Sequence, residues 1–94
     1  MADPTTLILL ALSGAPLHGY AIQQEIERRT GVRFGPGTLY GAIARLEAAN
    51  LIAAMEPHAR RRPYRITDDG RCHLSKTLED TRHVARWARA IGAT

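Results

Sequence analysis

Arginine grips phosphate or carboxylate through two parallel N–H bonds. The segment PHARRRPYRI, Pro57–Ile66, holds four of them, Arg60, Arg61, Arg62 and Arg65, with no carboxylate between. Alone, so short a basic run has the composition of a solvated loop, and its neighbours must decide whether it binds anything. A second stretch with chemical reach is PGTLYGAIAR, Pro36–Arg45. If Pro36 and Gly37 open a helix, the first backbone N–H groups can meet a phosphate directly. Thr38 adds a hydroxyl, Gly41 a gap, and Arg45 a guanidinium able to read guanine or hold a backbone phosphate. Tyr20 and Tyr40 suit a packed ring with its hydroxyl turned to phosphate.

Other chemistries find no such grouping. The chain has four histidines and one cysteine. Cys72 and His73 are neighbours, so on a helix they project about 100° apart, and no pair has the spacing of a zinc site. No nucleophile stands with a base, and no phosphate-cradling glycine loop joins a strand to a helix. Asp68 and Asp69 are explained as helix-start charge. The expectation is no metal, no cofactor and no enzymatic activity.

Net charge is +4 and the sequence pI about 10.0, which points to an anionic partner: nucleic acid, a membrane surface or an acidic protein. With 94 residues one domain is expected, and a domain of this size buries only roughly 60–65% of its unfolded surface. Burial against a second chain is the obvious supplement. LILLAL, Leu7–Leu12, is too short to span a bilayer. No signal-peptide pattern precedes it, and the single cysteine suits a reducing compartment. A soluble, cytoplasmic protein is expected.

The elements that must position these groups follow from periodicity and caps. Asp3 and Pro4 start a first helix, with Leu7, Leu10 and Ala11 on one face and Ile8 and Leu12 beside them, ending near Gly14. SGAPLHG, Ser13–Gly19, is a turn. A second helix runs from Gly19 to Thr30, with Ile22 and Ile26 inward and Gly31 as left-handed stop. A third runs from Pro36 to about Asn50 on the stripe Leu39, Ile43, Leu46. Its other face, Thr38, Gly41, Ala42 and Arg45, is small apart from the arginine, so it can lie close to a groove floor. LIAAMEP and PYRIT flank HARRR as a two-stranded hairpin with a basic tip. Thr67 caps a last helix on which Leu74, Leu78, Thr81, Ala85 and Ala88 recur at steps of four and three, with Val84, Trp87 and Ile91 alongside. Nothing else in the chain can cover so long a seam, so its partner is expected to be a second copy. The fold class is mainly α with a small β-hairpin: a winged helix-turn-helix over residues 1–67 and a C-terminal dimerisation helix over 68–94.

With the elements in place, LHGYAIQQEIERRTGVRFGPGTLYGAIARLEAANLI followed by YRITDDGR resembles the PadR family of bacterial transcriptional regulators. The resemblance implies a homodimeric winged-helix repressor of the family's short branch, which has one C-terminal dimerisation helix. Gly35 stands where a serine often caps the recognition helix, and Gly41 where a proline often follows the tyrosine. The resemblance also makes Trp87 a candidate wall for a planar hydrophobic effector. The expected function is therefore sequence-specific binding to a palindromic DNA operator, with release by a small aromatic or hydrophobic effector or another signal. The alternative is a winged helix used for protein–protein contact without specific DNA binding. No membrane role is expected.

Overall fold

Helix α1 (Pro4–Leu12) begins where a cap and a proline agree. The Asp3 carboxylate accepts from the Thr6 N–H at 3.0 Å and from the Thr5 hydroxyl, and the Thr5 bond chiefly holds its pKa below the usual aspartate value. The helix ends at Leu12, short of Gly14, because the Ser13 hydroxyl turns back to the Leu9 carbonyl at 2.8 Å. Leu7, Ile8, Leu9 and Leu12 are buried, whereas Leu10 is exposed, contrary to the expected face. The computed structural model describes residues 3–92.

The stretch after α1 holds a short strand, β1 (Leu17–His18), where a turn was expected. Helix α2 (Gly19–Thr30) follows at once and stops at Gly31, whose φ of 75° is the left-handed cap that glycine adopts without strain. Helix α3 (Pro36–Ala48) ends two residues before the expected Asn50, which takes a φ of 61° and turns the chain. Ala42 is fully buried, not on the outer face. Lying between Leu39 and Leu46 at helical spacing, it completes the inward stripe.

Strands β2 (Ile52–Ala54) and β3 (Pro63–Ile66) are shorter than the flanking apolar segments, and β3 takes β1 as its second neighbour. The wing is therefore a three-stranded antiparallel sheet in the order β1-β3-β2, with Leu17 opposite Tyr64 and Ile52 opposite Ile66. At its tip His58 and Arg61 exchange two backbone hydrogen bonds around Ala59 and Arg60, both at positive φ (49° and 67°).

Helix α4 (Asp68–Ala90) is tied to the rest through Thr67. Its hydroxyl accepts from the Gly70 N–H at 2.9 Å and donates to the Asn50 carbonyl at 2.8 Å, and its own N–H donates to the Leu51 carbonyl. One core joins the layers: the α1 leucines, Ile22 and Ile26, the α3 stripe, Ile52, Ile66 and Leu74. Leu74, expected on the exposed seam, is only 7% exposed and belongs to this core, since the first turns of α4 pack against α1. Beyond Leu74 the helix leaves the core.

Candidate nucleic-acid interface

Helix α3 buries Leu39, Ala42, Ile43 and Leu46, and that orientation turns Pro36, Gly37, Thr38, Tyr40 and Arg45 to solvent. Gly35 offers no side-chain cap. The N–H groups of the first turn, which have no partner within the helix, therefore receive none from a capping side chain. Gly41 is half-buried beneath Arg45, and a methyl added there would lie 3.6 Å from Nη1, an ordinary contact.

The wing carries its arginines to the same side. A hollow of about 230 Å³ is lined by His18, Gly19, Tyr20, Tyr40, Tyr64 and Arg60–Arg62. Three segments meet there: the start of α2, the first turns of α3 and the wing tip. Their approach is close, since a Cβ on Gly19 would fall 2.6 Å from the Tyr40 hydroxyl oxygen, so that glycine is what lets the tyrosine ring lie over α2. Tyr20 and Tyr40 are both exposed. Arg65 stays outside the hollow, on the face of β3 opposite Tyr64 and Ile66. Of α3 only Tyr40 lines it; Pro36, Gly37 and Thr38 before that tyrosine and Gly41 and Arg45 after it lie outside.

Of the arginines among the described residues, some are neutralised by carboxylates and others, Arg71, Arg86 and Arg89 of α4 included, are not. Arg28 and Arg29 pair with Glu25, Arg33 with Glu27 and Arg82 with Glu79. Glu25 is held below the usual glutamate value mainly by its hydrogen bond from Arg28. Among the described residues no carboxylate pairs with Arg45, Arg60, Arg61, Arg62 or Arg65. Arg62 donates to the Met55 carbonyl at 3.2 Å, and Arg61 meets His18, so neither contact sets a negative charge against the guanidinium.

Two residues at this site escaped the sequence reading. His18 caps α2, its Nδ1 accepting from the Ala21 N–H at 3.3 Å. Gln23 is buried, and its Oε1 accepts from the Phe34 N–H at 3.3 Å, which fastens the loop that leads into α3. The signal for Gln23 was present: it stands four residues after Gly19 and three before Ile26, on the inward stripe of α2. Among the described residues no three His, Cys, Asp or Glu gather to hold a metal ion, and no helix is long and apolar enough to cross a membrane.

A recognition helix and an adjacent wing, both bearing uncompensated arginines, define a winged helix-turn-helix of the DNA-binding regulator class. The profile of the transcriptional regulator PadR-like family matches residues 8–76, and the chain belongs to that family. It is 38% identical over 78 residues to the transcriptional regulator Rv3488 of Mycobacterium tuberculosis, covering 80% of this chain and 69% of that one. It is 52% identical over 69 residues to an uncharacterized 37.1 kDa protein in transposon TN4556 of Streptomyces fradiae, covering 73% of this chain. The match spans only 20% of that relative's length. Among solved structures, a transcriptional regulator from Clostridium thermocellum superimposes with a TM-score of 0.85 at 28% identity, covering 94% of this chain and 91% of that one. A PadR family transcription regulator from Clostridium difficile gives the same score at 24% identity, covering 94% and 96%, and bears on the fold alone. Family membership makes the chain a transcriptional regulator and not an enzyme.

Proposed function

We propose that the chain is a cytoplasmic homodimeric repressor that binds a roughly palindromic DNA operator, with residues 1–67 as the DNA-binding unit and the segment 68–94, whose helix α4 ends at Ala90, as the dimerisation unit. The observation that carries the DNA reading is the convergence of Arg60, Arg61 and Arg62, none of them paired with a carboxylate among the described residues, on one hollow with Tyr20 and Tyr40 beside the exposed face of α3. Pro36, Gly37, Thr38, Tyr40, Gly41 and Arg45 supply the groove-facing surface and sequence choice. Tyr20 and Arg60–Arg62 hold the flanking backbone, and Arg65 adds long-range attraction.

The dimer rests on α4. Leu78, Val84 and Trp87 are exposed on a helix already past its own core, Ile91 is exposed at its C-cap, and Trp87 is 67% exposed. Thr81, Ala85 and Ala88 complete the strip. Leu10, also exposed, borders a groove of about 330 Å³ with Leu7, Ala11 and Ile26. Two recognition helices so joined would lie about 34 Å apart, one turn of DNA. An aromatic effector between paired Trp87 rings would release the operator by favouring a dimer whose helices no longer match that spacing.

Electrophoretic mobility shift across a salt series tests the reading. Specific binding should fall steeply with salt, by about 0.9 in the logarithmic slope for each phosphate neutralised. Replacing Arg60, Arg61 and Arg62 by alanine should lower that slope by two to three while sparing most of the sequence preference. A protein that prefers no site over random duplex at moderate salt would sink the reading.

A further inference from the structure

His18 makes two contacts that a neutral imidazole cannot sustain together. Its Nδ1 accepts from the Ala21 N–H, and its Nε2 lies 3.1 Å from Nη1 of Arg61. A neutral ring has one N–H and one lone pair. With the lone pair on Nδ1, the Nε2–H confronts a guanidinium N–H, donor against donor. With the proton on Nδ1 instead, Arg61 gains an acceptor and α2 loses its cap. A protonated ring has no acceptor for either. The backbone holds both groups in place, because His18 pairs with Pro63 in the sheet and Arg61 closes the wing turn just before that proline.

An anion removes the conflict. One oxygen in front of the pair can accept from Nε2–H and Nη1–H together, leaving the Nδ1 lone pair for Ala21. The surrounding hollow is suited to it: Arg60, Arg62, Tyr20 and Tyr40 line it, and no carboxylate does. We propose that His18 and Arg61 form a two-donor clamp for a single backbone phosphate of DNA. The cap of α2 and the wing are then satisfied together only in the bound state, so phosphate binding sets the wing against the helix-turn-helix. The clamp rests on the DNA-binding reading above and goes beyond it in giving His18 a direct contact.

The side-chain chemistry of asparagine and glutamine separates the two roles of the ring. His18→Asn keeps an acceptor near Nδ1 and is a preferred cap, but it has nothing at Nε2. His18→Gln reaches the Nε2 position and caps poorly. Binding is measured by fluorescence anisotropy on a duplex that the wild-type protein selects from a random pool, then on copies carrying one neutral methylphosphonate at each position in turn. His18→Asn should keep wild-type helix content and bind roughly tenfold more weakly, with His18→Gln closer to wild type. The methylphosphonate that weakens wild-type binding at one position per half-site should have no further effect on His18→Asn or on Arg61→Ala. If His18→Asn binds like wild type, or the two variants become insensitive at different positions, the clamp is overturned. The ring nitrogens of wild-type His18 give a second measurement that needs no variant. In the DNA complex, NMR should find the proton on Nε2 and a bare Nδ1; a bare Nε2 would overturn the proposal. A wild-type protein that selects no duplex would instead bring down the DNA reading, and the clamp with it.

Discussion

At the scale of single residues, two glycines do work that no other side chain could. Gly19 lets the Tyr40 ring lie over the start of α2, and Gly70 lets the first turn of α4 approach the α3–β2 joint. A Cβ at Gly70 would sit 2.0 Å from the Leu51 carbonyl oxygen and 2.8 Å from a side-chain carbon of Ile66. The obstacle includes backbone, which cannot swing aside as a side chain does. Gly70→Ala should therefore cost roughly 3 kcal/mol or more in denaturant unfolding, at or above the upper end of ordinary overpacking. It should also loosen the hydrogen bonds through which Thr67 joins α4 to Asn50. A loss below about 1 kcal/mol would mean that the α4 start is less tightly packed than this.

At the scale of elements, the wing is where local preference is sacrificed. A two-residue hairpin turn with both central residues at positive φ favours Asn-Gly, yet Ala59 and Arg60 occupy those positions. Each L-residue in that region costs on the order of 1 kcal/mol. Strain of this kind persists where a side chain is needed at the spot, and Arg60 at the rim of the hollow is that side chain. Ala59→Asn should stabilise the protein by a few tenths to about 1 kcal/mol and leave DNA affinity unchanged. Arg60→Gly should stabilise it at least as much and weaken DNA binding. Thermal melts beside binding titrations on the two variants would check this, and equal binding by both would remove Arg60 from the interface.

At the scale of the whole molecule, α4 changes role along its length. Leu74 is part of the chain's own core, whereas Leu78, one turn later, is 37% exposed. The same chemical change should therefore have two outcomes. Leu78→Glu should give a folded monomer by sedimentation velocity, because it places charge in the proposed intermolecular seam. Leu74→Glu should unfold the protein, because it buries a carboxylate without a partner. If Leu78→Glu stays dimeric, the seam lies elsewhere, and the groove beside Leu10 becomes the first alternative.

What the chain determined by itself was local. Asp3 and Pro4, Gly31, Pro36 and Thr67 mark helix ends through contacts reaching no more than four residues, and the stripe of Leu39, Ile43 and Leu46 shows in periodicity alone. Those signals were enough to outline three helices, a basic hairpin and a final helix, and so to put the arginines on a wing. Tertiary structure decided the rest, because it depended on distant partners. The strand Leu17–His18 is too short for any alternation to show, and it exists because β3 supplies its hydrogen bonds. Leu74 could be assigned to core or seam only once α1 was packed against the start of α4, whereas Ala42 sat at helical spacing on the stripe and its burial was legible there. The meeting of His18 with Arg61 joins residues 43 apart in sequence, a distance over which no spacing rule operates.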